Sequence, residues 1–206
     1  MHTLDFARFA EVCHFGRIIH ELTVTHHCLR TRRLELVAST VHSAAIEMRG
    51  VDDLAALLDV PCPEAWPPPL NDEDSQQWNL EMLRNDHEAV GWGMWHIIAV
   101  DPDRTLVGNI GFKGRPSNGS CEIGYSLLPQ FQSRGYATEA AHALIAWAFT
   151  HSDVERVTAE TLPELAASIR VMEKCGMRFI GEGSPEERQR TVRYALARAD
   201  WPTAAR

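Results

Sequence analysis

Apolar positions recur along the chain with two alternating periods, and the order of those periods predicts the fold. Met94–Val100 and Thr105–Lys113 alternate in steps of two, as strands with one face in a core do. Asp101-Pro102-Asp103-Arg104 between them is a hairpin signal. A second turn, Arg115-Pro116-Ser117-Asn118-Gly119, leads into a strand over Cys121–Leu128. There Glu122, Gly124, Ser126 and Leu128 share one face, and Cys121, Ile123, Tyr125 and Leu127 share the other. The period then becomes helical over Gly135–Phe149, with Ala137, Ala141, Leu144, Ile145 and Ala148 on one side. Val154–Thr161 returns to strand. Leu165, Ser168, Ile169 and Met172 mark the inward face of another helix. Thr161-Leu162-Pro163-Glu164 fits a capping box at its start, and Gly176 suits the position just past its end. Met177–Gly181 and Thr191–Ala197 are the last strands.

The earlier part reads less regularly. Leu34–Ser39 is the first expected strand, and Ser43–Arg49 and Asp52–Leu58 are helical pieces broken near Gly50. The prolines of Pro61–Leu70 forbid a helix and favour a stiff extended loop. Asp72–Asn85 reads as a helix with Trp78, Met82 and Leu83 inward. Residues 1–30 look foreign to the rest, with a short helix over Asp5–Phe15. The expected division is an N-terminal extension over 1–30, one domain over 31–198 and a C-terminal tail over 199–206. Its fold class is mixed α/β (α+β), with a mostly antiparallel sheet and one parallel βαβ step across 128–161.

Composition narrows the partners. At 45% hydrophobic residues the 206-residue chain can build a core. No run is apolar enough to span a membrane, so no membrane partner is expected. The net charge of −8 argues against nucleic acid. Five scattered cysteines with no CxxC pair read as reduced thiols of a cytoplasmic protein. The histidines and cysteines of the first 30 residues match no standard metal spacing, so no metal is expected. From Glu64 to Asp103 nine acidic residues face one basic residue, Arg84. That run is a solvated face, or a field that draws in a cationic amine.

The most informative run is Gln132-Ser133-Arg134-Gly135-Tyr136-Ala137-Thr138-Glu139, between a strand and a helix. A small-residue turn there leaves backbone N–H groups unpaired at the positive end of the helix dipole, where phosphate binds. Gly135 and Ala137 admit the phosphate to the main chain, and Arg134 adds a permanent charge. No Lys follows Gly135, which excludes a P-loop, and the three spaced glycines of a dinucleotide fingerprint are absent.

Gln132-x-x-Gly135-x-Ala137 resembles the acetyl-CoA loop of the GNAT acetyltransferase superfamily. Glu122-Ile123-Gly124-Tyr125-Ser126-Leu127-Leu128-Pro129 is similar to the strand leading into it. Ala166–Met177 and the opening Thr31-Arg32-Arg33-Leu34-Glu35-Leu36 resemble the branch that includes the Rim-type ribosomal-protein N-terminal acetyltransferases. The resemblance implies a GNAT fold whose sheet splays at the cofactor site. It implies acetyl-CoA as co-substrate, held by Gln132, Ser133, Arg134, Gly135, Tyr136, Ala137 and Thr138, with the pantetheine arm along Ser126 and Leu127. Ser168 would lie near the thioester. The branch carries Asn where this chain has Leu165, which removes one hydrogen bond to the cofactor, worth ~0.5–1.5 kcal/mol.

Acetyl transfer to an amine requires loss of a proton, a stabilised oxyanion and a departing thiolate. Presenting the neutral amine at pH 7 costs about 4.6 kcal/mol for a lysine-like group and about 1.4 for an α-amine. Glu122 is the first candidate base and Glu160 the second. Ser168 is a candidate relay to the thiolate, and Tyr194 a candidate acid by analogy with other GNAT tyrosines. Trp66, Trp78, Trp92 and Trp95 line an acceptor pocket or anchor the core. The expected acceptor is a small amine or a protein N-terminus, used by a monomer or homodimer. The rival expectation is a non-catalytic acyl-CoA-binding regulator.

Overall fold

The computed structural model describes residues 27–61, 65–183 and 190–202. The helix expected over Asp5–Phe15, the remainder of the chain before His27, Cys62 and residues 203–206 lie outside the described residues.

Eight strands form one sheet: β1 (Cys28–Arg30), β2 (Leu34–Ala38), β3 (Met94–Ala99), β4 (Thr105–Phe112), β5 (Ser120–Leu127), β6 (Arg156–Thr161), β7 (Arg178–Glu182) and β8 (Val192–Ala197). Their spatial order is β1-β2-β3-β4-β5-β6-β8-β7. Every neighbouring pair is antiparallel except β5 and β6. The periodicities therefore predicted the sheet. They missed β1, which is too short to show alternation, and the chain joins the sheet at Cys28, ahead of the boundary expected at residue 31.

Among the described residues, five α-helices flank the sheet: α1 (Val41–Glu47), α2 (Val51–Leu58), α3 (Glu73–Asn85), α4 (Tyr136–Ala148) and α5 (Ala166–Lys174). On one face, Leu54, Ala55 and Leu58 of α2 pack on Ile98 and Leu106. Ala44 of α1 meets Leu80 and Leu83 of α3. On the other face, Ala140, Ala141, Leu144, Ile145 and Ala148 of α4 bury against Trp95, Ile97, Ile110 and Ile123. Each large aliphatic group so buried contributes about 1.5–3 kcal/mol.

Two local expectations are corrected. Trp78 is 46% exposed, because α3 turns Asn79 inward instead. The Asn79 amide donates to Ser39 Oγ and accepts from the Met94 N–H, which fixes the rotation of the helix. The capping box at Thr161 does not form: Thr161 ends β6, and α5 starts at Ala166 with Leu165 as an N-cap lacking a side-chain bond. Gly176 does end α5, at φ 83°.

The parallel pair positions the site. β5 meets β6 only where Ser120, Cys121 and Glu122 face Arg156, Val157 and Thr158. Beyond that point β6 stays with β8 through Thr161, while β5 stays with β4 through Leu127. The two strands part, and a cleft opens between Ile123–Leu127 and Ala159–Thr161.

Candidate active site

The chain leaves β5 at the mouth of this cleft and turns sharply into α4. Ser133 (φ 60°) and Gly135 (φ 82°, ψ 4°) adopt left-handed conformations in the turn. The Gln132 N–H bonds Pro129 O, and the Glu139 N–H bonds Gly135 O. Between them, the N–H groups of Ser133 to Thr138 have no protein acceptor among the described residues. Gln132 contributes differently from expectation: its amide donates to Leu127 O at 3.0 Å and ties the turn to the end of β5.

A brace from the start of the chain fixes this turn. Glu139, in the first turn of α4, accepts from Thr31 Oγ1 (2.6 Å), the Arg33 N–H (2.9 Å) and Arg33 Nε (2.7 Å). Arg33 also donates to Arg134 O at 3.0 Å, and its guanidinium lies 4.8 Å from the Tyr136 ring centroid. Burial pushes the Glu139 carboxyl up, but the Thr31 hydroxyl and the Arg33 groups together outweigh it and hold it below the ordinary glutamate range. Arg33 and Glu139 stand in two of the sequence motifs, yet their pairing was not foreseen. Opposite charges in those motifs were the available signal.

Along β5, hydrogen bonds to β4 fall on alternate residues. Lys113 N–H bonds Glu122 O and Leu128 N–H bonds Val107 O, which places the peptide groups of Gly124 and Ser126 toward β4. Those of Ile123, Tyr125 and Leu127 consequently face the cleft. The Leu127 carbonyl is already taken by the Gln132 amide, so the open edge is centred on Tyr125, while Ser126 presents only its side chain. Ser126 Oγ donates to Pro69 O of the proline-rich loop. A Cβ at Gly124 would meet no atom within 4 Å, so the face of β5 above Gly124 is an open trough.

The sequence candidates divide between the two faces of the sheet. Glu122 and Glu160 share the trough face and one cation: Arg193 reaches Glu122 at 3.4 Å and Glu160 at 3.8 Å. Lys113 lies 2.5 Å from the other Glu122 oxygen, and Thr191 Oγ1 donates to Glu160. Ser168 lies on the opposite side, where Tyr125 Oη donates to its carbonyl at 2.9 Å and sits 3.2 Å from its hydroxyl. Burial pushes the Tyr125 phenol up to about 12, so it stays protonated. Tyr194 joins neither group: it is buried in the core with its ring against Phe179. Lys113, Tyr125 and Arg193 were missed, because only the fold brings them to the cleft. Leu165 is 41% exposed at the start of α5.

Comparison with known proteins decides the family. The family model described as "Acetyltransferase (GNAT) domain" matches residues 46–178. The chain belongs to this GNAT acetyltransferase family. Among curated relatives, "Uncharacterized N-acetyltransferase YjdG" of Bacillus subtilis is 35% identical over 97 residues, 47% of this chain and 57% of that protein. The chain spans about half the length of the curated relatives it matches. The ribosomal-protein-S5-alanine acetyltransferase of Vibrio fischeri superposes with a TM-score of 0.60 at 16% identity, over 85% of this chain and 99% of that one. RimL, a ribosomal L7/L12 α-N-protein acetyltransferase solved with coenzyme A, gives 0.57 at 20% identity over 81% and 95%. The Rim-type likeness is therefore one of fold.

Among the described residues, no group of three or more His, Cys, Asp or Glu side chains is placed to hold a metal, and no helix is long and apolar enough to cross a membrane. The thiols of Cys121 and Cys175 are buried, and burial pushes both up to about 12. Such thiols are poor nucleophiles.

Proposed function

We propose that this chain is an acetyl-CoA-dependent N-acetyltransferase that acetylates a primary amine by direct attack within a ternary complex. The observation that carries this reading is the run of unpaired N–H groups from Ser133 to Thr138 beside the open edge of β5. The N–H groups suit a diphosphate, with Arg33 and Arg134 adding charge. The outward peptide group of Tyr125 and its free neighbours on β5 suit the amides of a pantetheine arm. RimL, with the same fold, is solved with coenzyme A.

Acetyl-CoA, when bound, supplies an acyl group activated as a thioester. The trough above Gly124 admits the amine from the face opposite Ser168. Glu122 stands two residues along β5, about 7 Å away, and takes the amine proton through water. Its pairing with Lys113 and Arg193 fixes its position beside the trough; an α-amine, which costs least to deprotonate, is the acceptor that needs least from it. The Ser168 hydroxyl, held by Tyr125, lies on the cofactor side and supplies a proton to the departing thiolate. Glu160 orients Arg193. Tyr194 takes no part, since its ring is packed away from the trough. With the buried thiols inert, transfer proceeds without an acetyl-cysteine.

Thiol release from acetyl-CoA across an amine panel, with titration calorimetry of CoA alone, tests this reading. Binding and turnover are expected. CoA binding without turnover on any amine would favour the acyl-CoA-binding regulator, a reading supported by Leu165 and by the two cations on Glu122. Absence of CoA binding would end both.

A further inference from the structure

Glu47, the last residue of α1, is buried with His96 of β3, their side chains 2% and 0% exposed. Glu47 Oε2 lies 3.0 Å from His96 Nε2, and its other oxygen accepts from Asn71 Nδ2 at 3.4 Å. One carboxylate thus ties the end of the proline-rich loop to the centre of the sheet. The loop touches the sheet twice more. Trp66 lies beside His96, with ring centroids 6.4 Å apart, and Pro69 O accepts from Ser126 Oγ. His96, Asn109 and Ser126 are register partners across β3, β4 and β5, so the three attachments run along one row that ends next to the Gly124 trough.

Stability alone is a poor account of this arrangement. A buried carboxylate–imidazole pair is costly to desolvate, and an apolar pair of similar volume is often as stable. Around it His96 Nδ1, Trp66 Nε1 and Asn71 Oδ1 are buried without a partner among the described residues. Each such atom costs about 1–3 kcal/mol. The pair is directional where an apolar contact is not: it sets where residues 66–71 sit relative to β5.

We infer that Glu47 and His96 are positioning residues for the amine: they hold the Trp66–Asn71 segment against Ser126 as the wall of the acceptor trough, and so set which amines enter. This rests on the acetyltransferase reading for its kinetic arm only.

The test compares wild type with Glu47→Ala, Glu47→Gln and Asn71→Ala. Hydrogen exchange is followed in the peptide spanning residues 65–76, with α4 as the internal reference. Kinetics use acetyl-CoA with spermidine, kanamycin and a peptide bearing a free N-terminal alanine. Glu47→Ala and Asn71→Ala are expected to speed exchange in the segment while α4 is unchanged. They are also expected to raise KM for the accepted amine about tenfold with KM for acetyl-CoA within about twofold, and to shift preference within the panel. Glu47→Gln, which keeps an acceptor for His96, falls between. Unchanged exchange in the segment, or an equal rise in both KM values, overturns the inference. If wild type acetylates none of the three amines, the exchange result alone decides the clamp. Failure of CoA to bind wild type counts against the acetyltransferase reading and leaves that result standing.

Discussion

Replacing Glu139 by Gln removes the charge at the centre of the brace that holds the proposed diphosphate turn. Three donors converge on this carboxylate, two from Arg33 and one from Thr31. A glutamine keeps one acceptor oxygen and turns an amide N–H₂ toward those donors. Hydrogen bonds to a charged group contribute about 1.5–3 kcal/mol each when buried. The Arg33 and Glu139 side chains are 33% and 19% exposed, so solvent screens part of that, and the expected loss is about 2 kcal/mol in total. With a urea slope of about 2 kcal/mol/M, the unfolding midpoint falls by about 1 M. The effect depends on pH with a definite sign. The carboxyl's folded value lies below the ordinary 4.5, so its stabilisation is present above 4.5 and is lost as pH falls through the lower native value. The wild-type and variant midpoints should therefore differ near pH 7 and converge below that window. CoA affinity should fall with the released Arg33. A gap that stays constant from neutral to strongly acidic pH would refute the brace, and so would no gap at all.

Other outcomes follow from the same geometry. Gly135→Ala puts a side chain at φ 82° with its Cβ 3.3 Å from an Arg33 nitrogen, so CoA affinity should drop, with about 1–2 kcal/mol lost in urea unfolding. Gly124→Ala adds a Cβ to the trough with no atom within 4 Å of it, so KM for the amine should rise while CoA binding by calorimetry and the melting temperature stay near wild type. Tyr125→Phe removes the bond from β5 to α5 at 2.9 Å and should cost about 1 kcal/mol, a fall of ~2–4 °C by calorimetry. Cys121 and Cys175, with thiols pushed up to about 12, should resist a thiol reagent at pH 8 until the protein is unfolded.

What the sequence displayed was what local periodicity encodes. The alternation in Cys121–Leu128 placed Glu122, Gly124 and Ser126 on one face, and the trough lies there. The turn before α4 was readable because Gly135 and a helix start are local features. Local reading failed where a distant partner decides. Asn79 rather than Trp78 faces inward because Met94 and Ser39 claim its amide. Thr161 remains in β6 because Val192 pairs with it. Arg33 and Glu139 are 106 residues apart, and Glu47 and His96 are 49 apart. No window of helical or strand length contains either pair.

The cleft itself has a physical cause in these long-range choices. β6 pairs with β8 over its whole length from Arg156 to Thr161. β5 is held by β4 from Ile123 to Leu127. Sheet twist then separates two strands that are bonded over only three residues. The peptide edge around Tyr125 thereby remains available to a ligand. Arg193 sits where the strands part and links a carboxylate on each. Replacing it with Leu would leave Glu122 beside Lys113 and Glu160 beside Thr191. If Glu122 is the base, loss of one of the two cations beside it frees its carboxylate to turn toward the amine. Arg193→Leu should then retain turnover with an α-amine and gain relative turnover with a lysine-like amine, read as the ratio of kcat/KM values. A ratio that moves the other way, with CoA affinity intact, would mean that Arg193 acts on the substrate directly and Glu122 is not the proton acceptor.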